Sequence, residues 1–128
     1  MATGTIPNHI SDAISNADRV DYKELANDTA RTANQTGDIG SVTLGKGVYV
    51  ALSQTTASTG YSGRAYCAYS GNGVSSVDFM PPTMPTGYGN FQLVQLIIIK
   101  SGSETVNRIY WDSQTTGSKH IWQIYRIL

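Results

Sequence analysis

Residues able to do acid–base, nucleophilic or metal chemistry are few in this chain and far apart. The two histidines, His9 and His120, have no second histidine or carboxylate at ligand spacing, so a single chain offers no metal site. Beyond Gly40 the carboxylates are Asp78, Glu104 and Asp112, and a glycosidase needs two that can flank one sugar. Asp112, directly after Trp111, is the one placement that draws notice. In "WDSQTTGS" it reads first as a turn-starting Asp that hydrogen-bonds its own backbone. The chain has no nucleophile elbow, phosphate loop or plausible triad. Its single cysteine, Cys67 in "RAYCAYS", excludes an internal disulfide and reads as a small buried hydrophobe. The expectation is a non-enzymatic protein without catalytic residues, metal or other cofactor.

Recognition chemistry is better represented. Eleven of the twelve aromatic residues follow Gly40, and eight of the twelve are tyrosines, which suit surfaces both apolar and hydrogen-bonding. Three loop stretches stand out by composition, "TTASTGYSGR", "YSGNGVSS" and "DSQTTGSKH", and loops on a regular scaffold are where recognition concentrates. Within them Tyr61 and Tyr69 are candidate aromatic platforms and Asn72 and Gln114 candidate amide partners. Arg64 and Lys119 are candidate cations.

The elements that must position these residues fall into two unlike parts. Residues 1–40 hold six acids and three bases, and the remainder holds three acids and six bases. A net charge of about plus three spread over the second part is too weak for a nucleic-acid footprint. Charged residues make up 14% of the chain, which calls for a neutral polar surface of the kind found on extracellular and virion-exposed β proteins. "MATGTIPNHI" lacks the basic start and apolar run of a secretory signal. The apolar run Leu96 to Ile99 is far short of the roughly 20 residues of a membrane span.

Residues 8–34 carry helix signals, with Asp21 and Glu24 at capping-box spacing and a thin apolar seam broken near Asp18 to Asp21. The expectation for 1–40 is a helical, coiled-coil-like stalk or attachment segment that needs a partner to pack against. From Ser41 the period becomes two, and strands are expected over 41–53, 63–70, 74–80, 89–100, 105–112 and 119–128, an antiparallel β domain filling 41–128. "KSGSE" and "SQTTGS" read as hairpin connections, which makes the last three strands a meander. The strand in "YGNFQLVQLIIIKSG" has apolar residues on both parities and is expected to be buried on both faces, with Gln92 and Gln95 reaching a polar rim or a subunit boundary.

From Asp38 onward the order of features resembles the knob domain of bacteriophage tail fibres and pyocin fibres. The residues that carry this are "GKGVYVAL", "MPTGYGNFQLVQL", "NRIYWDS" and the closing "IWQIYRIL". The resemblance covers about 90 residues, and "TTASTGYSGRAYCAYSGNGVSSVDF" is longer than its pattern. It implies a homotrimeric antiparallel β-sandwich knob on a virion, preceded by a trimerising helix, that binds a host-surface glycan or protein. The alternative is a structural decoration or joining protein that meets other virion proteins through residues 1–40. Neither reading involves nucleic acid or insertion in a membrane.

Overall fold

The computed structural model describes residues 18–71, 75–82 and 90–128. Among these residues there are six strands: β1 (Asp18–Leu25), β2 (Thr36–Ala57), β3 (Gly63–Tyr69), β4 (Val77–Phe79), β5 (Asn90–Asp112) and β6 (Ser118–Arg126). They form one antiparallel sheet in the order β1-β6-β2-β5-β3, with β4 also paired to β5. The mainly β, antiparallel class expected from the period of two is the class observed.

The expected helix is absent among the described residues. Residues 18–25 form a strand against β6, and residues 26–35 are loop; the start of the expected helix, 8–17, lies outside the described residues. Tertiary partners outweigh the local helix signal here. The Asp21 carboxylate accepts a two-pronged bond from Arg108 of β5, with Nε at 2.9 Å. Tyr22 and Glu24, two apart and so on one strand face, are joined by the Tyr22 hydroxyl at 2.8 Å. The division at residue 40 falls inside β2.

A second difference concerns "KSGSE". No hairpin forms there; β5 runs on through Lys100 to Glu104 as a bend. Gly102 adopts φ 67°, a left-handed conformation that an L side chain resists. Opposite it, the register with β2 shifts between Gly45 and Gly47. The buried positions change parity across the bend, from Gln95, Ile97 and Ile99 to Val106, Arg108 and Asp112. A slip of one residue exchanges the faces of a strand, so the bend keeps both halves of β5 directed at one interior.

How far the sheet folds over follows from Trp122. Its strand neighbour Ser53 is paired on the other side with Leu93 of β5. Yet the Trp122 indole donates to the carbonyls of Tyr66 and Ile109, at 3.1 and 3.2 Å. Ile109 lies sixteen residues beyond Leu93, roughly 50 Å along a straight strand. The strand therefore doubles back, and the concave face of the sheet closes on itself. Gln95 ties the same halves together: its carbonyl accepts from the Cys67 amide at 2.8 Å, and its amide donates to the carbonyls of Cys67 and Met80, each at 3.0 Å. Far from reaching a rim, Gln95 is fully buried, and its three bonds offset the cost of placing an amide in a core.

The core enclosed this way is built from Tyr49, Ala51, Ala65, Cys67, Ile97, Ile99, Val106, Trp122 and Ile124. Cys67 is buried as expected, and burial pushes its thiol up to about 12. Two further expectations are corrected. The loop after Asp112 does not close a meander, because β6 pairs with β1 and β2, not with β5. Nor is the first half of β5 buried on both faces: Ile97 is 0% exposed, but Val94 is 56% and Leu96 43% exposed.

Candidate functional site

At one end of the folded sheet three loops are knitted together. The amide of Arg31 donates to the Thr115 carbonyl at 2.9 Å, that of Gly117 to Asn27 at 2.7 Å and that of Ser58 to Gly117 at 2.9 Å. Ser113 donates to the Ser62 carbonyl at 2.9 Å, and the Ser62 amide returns a bond to the Ser113 hydroxyl at 2.9 Å. Loops 26–35, 58–62 and 113–117 are therefore one surface.

Beneath it lies a buried polar network. The Arg31 guanidinium donates to the Asp112 carboxylate at 3.1 Å and the Ser118 carbonyl at 2.8 Å, and also to the carbonyls of Thr29 and Ala26. His120 Nε2 stands 2.9 and 3.0 Å from the two Asp112 oxygens, and its Nδ1 is 2.7 Å from the Thr55 hydroxyl. Nε2 donates to the carboxylate; the Thr55 hydroxyl donates to Nδ1 when the ring is neutral and accepts from it when the ring is protonated. Tyr110 stacks on the imidazole at 5.5 Å and lies under the Arg31 guanidinium at 5.9 Å. Burial by itself raises the Asp112 carboxyl, but bonds from His120, Ser118 and Arg31, with the charge of His120, outweigh it and hold the group below its ordinary value.

Hydroxyl, imidazole and carboxylate in one line have the order of a nucleophilic relay. Here the line is sealed: Thr55 is 2% exposed and His120 0%. Thr55 borders a shallow hollow of about 520 Å³ shared with Gln54, Thr56, Asn90, Phe91 and Gln92, yet stays closed to solvent. What this arrangement does is brace. It fixes loop 26–35 to the start of β6 and the end of β5, and it depends on Gly63, where a Cβ would come within 2.8 Å of the Asp112 carboxylate. Among the described residues no group of three His, Cys, Asp or Glu could hold a metal ion.

The expected site residues divide. Tyr61, in the 58–61 turn, is exposed and lays its ring over Gly117. Gln114 is exposed on the neighbouring loop. Arg64 stands on the outer face of β3 paired with Trp111, its guanidinium 5.0 Å from the centre of that ring, and its buried Nε has no hydrogen-bond partner among the described residues. These three meet at the braced end. Lys119 is exposed on β6, held by Glu24 of β1 at 3.5 Å. Tyr69 is elsewhere: Arg64 to Tyr69 spans five residues, about 16 Å of strand. There its hydroxyl donates to Glu104 at 3.1 Å and its ring stacks with Phe79 at 6.3 Å. Asn72 lies outside the described residues.

Trp111 is the functional candidate that sequence reasoning passed over; its neighbour Asp112 had drawn notice, but as a turn residue. The carboxylate is the acceptor at the centre of the network, bonded by Arg31 and His120 from outside its turn. Comparison with protein-family models, with curated proteins and with solved structures finds no match to this chain.

Proposed function

We propose that this chain is a non-enzymatic, receptor-binding part of a bacteriophage virion, a homotrimeric β-sandwich knob of fibre type that attaches to a glycan or protein on the host surface. The observation that carries this reading is the braced end. It presents an aromatic platform, a cation and an amide: Tyr61 and Gln114 on loops, and Trp111 and Arg64 on the adjoining ends of β5 and β3, with a buried ion pair bracing that end from beneath. A sugar is recognised by a ring under its apolar face and by hydrogen bonds to its hydroxyls, and a surface fixed in advance loses less entropy on binding. The likeness of "GKGVYVAL", "NRIYWDS" and "IWQIYRIL" to fibre knobs supplies the virion setting. Residues 18–25 and 36–40 lie in strands of the sheet and the loop 26–35 between them is tied to it, so an attachment segment separate from the sheet falls to residues 1–17.

A second reading, a structural decoration or joining protein, draws on the exposed Val94 and Leu96, which suit permanent contact better than reversible binding. An array of bacterial surface polysaccharides, probed with the wild type and with the Tyr61→Ala, Arg64→Ala double variant, separates the two. A receptor-binding knob captures a subset of glycans and loses them in the variant, with the melting temperature within a few degrees. A structural part ignores the array and binds purified particles.

A further inference from the structure

The outer face of the sheet half made by β1, β6, β2 and the first part of β5 is apolar and, among the described residues, uncovered. Along β5 it presents Val94, Leu96 and Ile98, which are paired with Leu52, Val50 and Val48 of β2. Beyond them Val50 is paired with Tyr125 and Gln54 with Ile121 of β6, and on the other side Met80 donates its amide to the Leu96 carbonyl. Val94, Leu96 and Met80 are 56, 43 and 43% exposed. A contiguous patch of this kind on a soluble protein marks a contact surface.

We infer that this face is where copies of the chain pack against one another. The inference rests on the homo-oligomer of the proposed function and names its surface. Charge and size select a second copy over an unlike partner. Among the described residues the charges stand at the margins, and two pairs of them are closed within the chain: Lys100 with Asp78 at 3.0 Å, and Lys119 with Glu24 at 3.5 Å. Arg19, at the β1 edge, donates to Gln123 at 3.3 Å. Among the described residues the only charge of this face without an ionic partner is Arg19 at its edge, so the middle of the face meets its own copy without like-charge repulsion and offers no charge by which an unlike partner would be chosen. Four strands of eight or more residues and the three-residue β4, about 4.8 Å apart, make a plane of roughly 24 by 26 Å, about 600 Å² in projection. That is of the order of the roughly 800 Å² of accessible surface each partner gives to a stable interface.

The test is mass in solution by light scattering, on the full chain at micromolar concentration, for the wild type and for Val94→Lys with Leu96→Lys. Both positions are open in the single chain, so the variant keeps the β-sheet circular dichroism of the wild type. The expected result is a wild-type mass of about three chains of 13.8 kDa and a variant mass of one. The milder Val94→Ser, Leu96→Ser variant is expected to shift the same equilibrium and serves if the lysines prevent folding. A wild-type dimer that the variants dissociate supports this face and contradicts the trimer. A wild-type oligomer unchanged in both variants overturns this face and leaves the oligomer standing. A wild-type monomer overturns both, including the case in which residues 1–17 of the same chain cover the patch.

Discussion

The two outer faces of the folded sheet are made from the same strand and are chemically opposite. On the first half of β5 the outward residues are Val94, Leu96 and Ile98; on the second half they are Asn107, Ile109 and Trp111, with Arg64 and Tyr66 beside them on β3. The first face is apolar, and the charges around it are paired within the chain. On the second, a guanidinium rests on an indole with one of its nitrogens unpartnered among the described residues, next to loops tied to one another by hydrogen bonds. An apolar face gains by being covered once and permanently, whereas aromatic and polar groups on a fixed frame can bind and release. The bend at Gly102 lets one strand serve both, because it carries the outward parity from even to odd residues.

The largest effect should come from comparing adjacent residues on the apolar half. Ile97→Asp puts an unpaired charge into the closed interior and should cost several kcal/mol, enough to prevent folding. Leu96→Asp, one residue away on the open side, should leave the single chain folded and reduce only its association. Soluble expression with circular dichroism and light scattering reads both. Equal damage from the two would mean that the strand is covered on both sides by its own chain.

Next comes the network under the polar end. Asp112→Ala leaves the Arg31 guanidinium buried without its carboxylate, which should cost about 3–5 kcal/mol, read by urea unfolding. A loss below about 1 kcal/mol would show that the loops hold themselves and that the brace is dispensable.

A smaller effect should appear in acid. The folded Asp112 carboxyl titrates below its ordinary value of about 4, so between those two values the unfolded chain binds the extra proton. The stability it contributes is complete above about pH 4 and is lost as the pH falls through the folded value. Asp112→Asn should flatten that part of the stability profile. An unchanged slope would assign the acid sensitivity to other carboxylates.

Much of the scaffold was legible because period-two patterning is local. Ile97, Ile99, Cys67 and Trp122 fall on core positions in strands that can be read directly from "LIIIK", "RAYCAYS" and "HIWQIYRIL". The bend was legible only in part. The shift from Ile97 and Ile99 to Val106 is visible in the sequence, but Gly102 between Ser101 and Ser103 serves a hairpin as well as a bent strand. What could not be read were partners far apart in the chain. Asp21 finds Arg108, and Arg31 finds Asp112, over separations of more than eighty residues, and the first of these pairs sits on a strand, laddered to β6, where the local signal was helical. The apolar outer face was invisible for another reason. Alternation says that a strand has two apolar sides, but not whether the chain itself covers both.

The division of labour between the two faces is tested most directly by crossing two variants with two readouts. The Val94→Lys, Leu96→Lys variant and the Tyr61→Ala, Arg64→Ala variant are each measured for mass by light scattering and for capture on bacterial polysaccharides. The first should fall to a single chain yet keep its glycan selectivity, with weaker capture for loss of multivalency. The second should keep its mass and lose capture. If the second variant dissociates while the first stops recognising glycan as a stable oligomer, the roles assigned to the two faces are wrong.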